Sequence, residues 1–111
     1  MSVGAGSLYN NLTGSHNVAI GYTALFQNLD KNFMIAIGDS SLYWNDGELN
    51  LGIGSKTLQE NEIGSFNIAI GHEAMKYNTI GADNISLGVY ALHSNISGDK
   101  NIAIGNVALS G

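Results

Sequence analysis

Glycine recurs at positions 4, 21, 38, 54, 71, 88 and 105, a spacing of 17 residues broken once, by a single residue, between Gly38 and Gly54. From Gly21 onward each of these glycines closes a short apolar run, written NVAIG, MIAIG, NLGIG, NIAIG, NISLG and NIAIG in chain order. Self-similarity at a fixed short period is the mark of stacked units, none of which can bury its own apolar face alone. So short a unit leaves few folds open.

Within the unit, Val18/Ile20, Ile35/Ile37, Leu51/Ile53, Ile68/Ile70, Ile85/Leu87 and Ile102/Ile104 flank a small residue. Alternation of branched and small residues predicts a strand, with the branched pair on the core face and the small residue on the opposite face. Four positions after each glycine comes a large residue (Leu8, Leu25, Leu42, Leu58, Met75, Leu92, Leu109), preceded by a small one, and a second short strand is expected there. The glycine between the two suits a corner with positive φ. Asn11, Asn28, Asn45, Asn61, Asn78 and Asn95 form one column, and Asn17, Asn50, Asn67, Asn84 and Asn101 form another, interrupted by Met34. Asparagine tolerates left-handed backbone, bonds its own turn and can bond the coil above or below. Gly14, Gly64, Gly81 and Gly98 mark a third corner.

The expected fold is therefore all-β: a β-solenoid of about six 17-residue coils, one repeat domain over residues 1–111. Helical repeats are opposed by 15 glycines and the branched alternation. Leucine-rich repeats share the Leu25 to Asn28 spacing but need a Leu-Xaa-Leu strand absent here.

Such a coil is thin. Burying a branched side chain contributes roughly 1.5–3 kcal/mol, while ordering each residue costs about 1–2 kcal/mol, so stacking alone leaves little margin. The small column Ala19, Ala36, Gly52, Ala69, Ser86 and Ala103 is expected to form a strip where another copy of the chain approaches closely; the alternative is a crowded, solvent-facing position. A net charge of −5 with four basic residues excludes nucleic acid and anionic membrane as partners. The absence of cysteine excludes disulfides and thiolate metal sites. No signal-peptide pattern follows Met1, and no apolar run approaches the ~20 residues of a membrane span. The sequence starts and stops in mid-repeat without polar caps, which suggests either a segment of a longer fibre or a filament-forming unit.

Chemistry is sparse. His16, His72 and His93 occupy three different places in the repeat and form no ligand column. Asp46-Gly47-Glu48, at the shortened corner, reads as a solvated turn, with Ca²⁺ binding as the alternative. Gly52-Ile53-Gly54 lacks the helix a dinucleotide site requires. No Ser/His/Asp set departs from the repeat, so no enzyme activity, catalytic residue, metal or cofactor is expected. Residues that break the columns are the better pointers. Tyr43 and Trp44, beside the shortened corner, are the candidate ligand contact, because aromatic faces suit sugars and protein surfaces. Packing is the competing account, since Tyr9, Phe26 and Tyr43 share a column that predicts an aromatic ladder. Phe33 and Phe66 share a register before the strand and are expected to cover an end of the roll or an oligomer seam.

The pentads at Asn17, Asn67 and Asn101 resemble the head repeat of the YadA-like trimeric autotransporter adhesins. The string from Thr13 to Asn28 is similar to repeats of phage tail fibres. The resemblance spans nearly the whole chain, although the 17-residue unit is longer than is usual for such heads. It implies a left-handed parallel β-roll, a homotrimer, and a rigid extracellular fibre segment that mediates attachment to a cell-surface glycan or protein. The bacterial cell surface is the implied location and a virion tail fibre the alternative. A self-assembling filament or spacer without specific binding is the competing function.

Overall fold

The computed structural model describes residues 1–111 and contains no helix. Seven strands stack in parallel into one sheet: β1 (Ser2–Val3), β2 (Val18–Ile20), β3 (Ile35–Ile37), β5 (Leu51–Ile53), β7 (Ile68–Ile70), β8 (Ile85–Leu87) and β9 (Ile102–Ile104). Neighbours pair in register, Ala19 with Ala36, Gly52 with Ala69 and Ser86 with Ala103, so every coil repeats its predecessor. The missing residue leaves this sheet undisturbed, since Ile35, Ala36 and Ile37 still meet Leu51, Gly52 and Ile53. A second parallel pair, β4 (Trp44–Asn45) with β6 (Glu60–Asn61), lies on the other side of the coil. The fold is a parallel β-solenoid, an elongated body of 34 × 21 × 16 Å.

The two faces of the main sheet are the reverse of the sequence expectation. Ala19, Ala36, Ala69 and Ser86 are fully buried, Ala103 nearly so, and Gly52 is buried with them. The branched residues on either side point outward; Ile68 and Ile70 keep 38 % and 37 % of their surface exposed. The small column therefore cannot be the strip where a second copy docks. The cause is thickness. A Cβ added to Gly52 would lie 2.7 Å from the hydroxyls of both Ser41 and Thr57, so the strand's middle position directly faces the small row after the corner. No isoleucine fits in that gap.

What fills the interior is Leu25, Leu42, Leu58, Met75 and Leu92 against alanines, with Met34 at one end of the section. The segment carrying these leucines is not the second strand expected there. Residues two and four after each corner glycine have positive φ, as in Thr23 (55°) and Leu25 (51°) or Glu73 (55°) and Met75 (49°). Alternating hand curls this side into linked turns, such as Ala74 N–H to Gly71 C=O and Asn78 N–H to Met75 C=O. It still bonds coil to coil: Leu25 N–H reaches Ser41 C=O at 3.0 Å and Met75 N–H reaches Ala91 C=O at 3.0 Å. Of 65 backbone hydrogen bonds only 11 belong to regular strands, so the coils are held around their whole perimeter and not by the sheet alone.

Both asparagine columns are buried ladders. In one, Asn78 Nδ2 donates to Asn61 Oδ1 (2.9 Å) and to Gly81 C=O (2.8 Å), and Asn95 repeats the arrangement one coil on. In the other, the side-chain oxygen accepts the backbone N–H of the same position one coil on, Met34 N–H to Asn17 Oδ1 at 2.9 Å and Asn84 N–H to Asn67 Oδ1 at 3.0 Å. At Met34 this column is maintained by sulfur, whose Sδ accepts Asn50 N–H at 3.3 Å.

Candidate functional site

Three surface features stand out from the repeat. The first is the outer face of the main sheet, two rows of branched aliphatics without a charged residue between Val18 and Ile104. Flanking positions extend it, because Phe33 and Phe66 are more than half exposed. Phe33 stacks on His16 with ring centres 4.8 Å apart.

The second feature lies across the interior, where the shortened coil meets its predecessor. Elsewhere the third corner is closed by backbone bonds, Leu12 and Thr13 to Leu29 C=O, and Thr79 and Ile80 to Ile96 C=O. Between Leu29 or Asp30 and Asp46 no such bond exists. The position after Asp46 is the missing one: Asn45 Nδ2 reaches Gly47 C=O two residues on, where Asn61 reaches Gly64 C=O three residues on. The asparagine ladder breaks at the same step. Asn45 Nδ2 turns toward Met34 Sδ (3.9 Å), and the buried Asn28 Oδ1 has no partner. Left behind is a notch of about 390 Å³ lined by Gln27, Leu29, Trp44, Asn45, Asp46, Glu62 and Ile63. A smaller cleft on the far side of Trp44 is lined by Glu60 and Glu62.

Of the two aromatic candidates, only Trp44 lines the notch, with 52 % of its surface exposed. Tyr43 belongs to a ladder: Tyr9, Phe26 and Tyr43 stack with centres 5.0 and 4.9 Å apart and planes within 2°. Tyr43 meets Trp44 edge-on at 5.4 Å and so fixes the indole without facing the cavity. Lys31 bridges the gap from one rim, 3.4 Å from Asp30 and 3.6 Å from Asp46. Its hydrogen bond to Asp30, then the charge of Asp46, holds the ammonium above its ordinary pKa.

A third cluster joins Glu73 to charged side chains that the repeat places in other columns. Glu73 accepts from His93 Nε2 at 3.1 Å and lies 3.7 Å from both His72 Nε2 and Lys76 Nζ. Tyr77 and Tyr90 pack edge-on against His93. Column position alone hides this contact, because side chains two and five places past the corner converge only once the intervening turn curls. Burial pushes the Glu73 carboxyl up, but the His93 hydrogen bond and the charges of Lys76, His72 and His93 outweigh it, leaving the group below its ordinary range. A depressed carboxylate stabilises the fold fully above its unfolded pKa, and the contribution is lost as pH falls through the folded value. Glu73→Gln should therefore lower stability by roughly 0.5–1 kcal/mol at pH 7. Urea midpoints of variant and wild type are expected to converge as pH falls through the lowered folded value of Glu73; a gap that persists after the carboxyl is protonated would assign the loss to packing.

Together these features define an all-β, parallel solenoid with one unpartnered apolar face and one irregular coil. The chain matches no family model, no curated protein and no solved structure.

Proposed function

We propose that this chain is a rigid fibre segment that assembles with copies of itself and displays a local contact surface for attachment. The observation that carries the reading is the outward aliphatic face of the main sheet. The patch runs the length of the solenoid, half-buried over most coils and most open at Ile68, Ile70, Ile102 and Ile104; a contiguous apolar face marks an interaction site, and association would supply the burial the thin core lacks. A second copy is the natural occupant: the face is uncharged, so the net charge of −5 does not oppose contact there, and the coil-by-coil repeat makes one copy match another. Left-handed winding, threefold symmetry and an extracellular position belong to this proposal through the resemblance of the pentads to adhesin heads. The uniform cross-section supports it mechanically, because stacked coils resist bending.

Sedimentation equilibrium tests the reading. Wild type should sediment as a discrete trimer at micromolar concentration, and Ile37→Asp with Ile70→Asp should reduce it to monomer. A monomeric wild type overturns assembly altogether, and open-ended polymers would favour a filament or spacer.

A further inference from the structure

We propose that the notch beside Trp44 binds a cationic side chain, arginine or lysine, presented by a basic peptide segment of a partner. This goes beyond assembly and does not depend on it, because the notch and the aliphatic face lie on opposite sides of the interior. Three observations converge. The notch is built by the irregularities of one coil: the missing residue, the broken asparagine ladder and the chain's single tryptophan all fall at the same step. Its aromatic wall is open, with Trp44 half exposed and braced edge-on by Tyr43. Lys31 pairs with Asp46 at one rim, whereas no ion pair involves Glu60 or Glu62, the carboxylates flanking the indole.

The neighbouring cluster shows what an aromatic and carboxylate pair takes up when a cation is at hand. There Lys76 sits 5.0 Å from the centre of the Tyr77 ring and 3.7 Å from Glu73. Trp44 and Glu62 present the same two elements, and the nearby Lys31 is taken up by Asp30 and Asp46 instead. An indole face attracts an ammonium or guanidinium more strongly than a phenol ring does, and a guanidinium can stack on the indole while donating to a carboxylate. A neutral sugar would use the indole and the amide of Gln27 but would gain nothing from the charge of Glu60 and Glu62.

Because Trp44 is the only tryptophan, its emission reports the notch directly. The probe is the acetylated, amidated tripeptide Arg-Gly-Arg, with the citrulline counterpart as its uncharged match and a neutral oligosaccharide as the competing class. The arginine peptide should shift the emission saturably, with Kd of roughly 0.1–1 mM, weakening several-fold between about 20 and 300 mM salt. Glu62→Gln should weaken binding about tenfold. Insertion of one serine between Asp46 and Gly47 restores the full coil and should abolish binding while keeping the indole. Trp44→Ala, followed by calorimetry, should do the same. Circular dichroism matching wild type qualifies each variant, and Glu62→Gln decides if the insertion does not fold. Equal binding of the citrulline peptide, saturation by the oligosaccharide alone, or wild-type affinity in Glu62→Gln overturns the proposal.

Discussion

Gly71→Ala is expected to destabilise the solenoid by roughly 3–5 kcal/mol. Gly71 sits at φ +128°, outside even the left-handed basin that other residues occupy. A Cβ there would stand 2.6 Å from the carbonyl oxygen of Gly88 in the next coil and 2.7 Å from its carbon. Both are backbone atoms of the ladder, whose Gly88 N–H already donates to Ile70 C=O at 2.8 Å, so relief requires breaking coil-to-coil bonds. Gly105 separates the two contributions. Its φ is +124°, but nothing lies within 4 Å of its would-be Cβ, so Gly105→Ala carries only the dihedral strain of about 1–3 kcal/mol. Thermal melts at equal protein concentration should place Gly71→Ala at least about 10 °C below wild type and Gly105→Ala between them. Equal melting of the two variants would remove steric contact as the cause.

Asn67→Leu follows, with an expected loss of about 2–4 kcal/mol. Asn67 is fully buried, and its Oδ1 accepts both the backbone N–H of Asn84 (3.0 Å) and Asn84 Nδ2 (3.2 Å), while its Nδ2 donates to Gly81 C=O (2.8 Å). Leucine has similar volume but leaves the Asn84 N–H buried without an acceptor, and an orphaned donor costs more than a mean hydrogen bond contributes. The chain contains its own control. Met34 occupies this column one repeat earlier than Asn50 and offers sulfur to the Asn50 N–H, so Asn67→Met should cost less than Asn67→Leu. Urea unfolding that ranks methionine no better than leucine would show that the ladder's acceptor is unimportant.

Burial of polar side chains in so thin a body has a physical reason. Corners that turn every few residues leave carbonyls pointing inward, and asparagine matches them with one donor and one acceptor at the same height in every coil. The columns show in the sequence, and so does their structural meaning, because an amide at a fixed period has a ladder as its simplest use. The aromatic ladder of Tyr9, Phe26 and Tyr43 is legible for the same reason: equal position in the repeat means vertical contact.

Orientation is legible only in part. Alternation in Ile68-Ala69-Ile70 predicts a strand correctly, yet period two does not state which face is inside. A signal was present in the row three places after the corner, Ala24, Ser41, Thr57, Ala74 and Ala91, which is small throughout. Two small rows can face each other across a narrow interior, whereas an isoleucine row facing a leucine row could not. The same choice withdraws Ala19, Ala36, Gly52, Ala69, Ser86 and Ala103 as an association strip and places the unpartnered surface on the isoleucines.

The notch was half visible: a missing residue and an unmatched tryptophan mark its coil, but the opening between Leu29 and Asp46 depends on which corner loses its bonds. The Glu73 cluster was not visible at all, since Glu73 shares a column with none of the charged side chains it meets, His72, Lys76 and His93.

Period, strand class, corner glycines and amide columns were fixed by the amino-acid order, because each is a contact between identical positions one turn apart, and such contacts need no knowledge of the cross-section. Which face of the strand is buried, where the shortened coil parts from its neighbour and which charges meet around Glu73 were decided only by tertiary structure. Those depend on the distance across the coil and the path of its turns, quantities that linear periodicity does not contain.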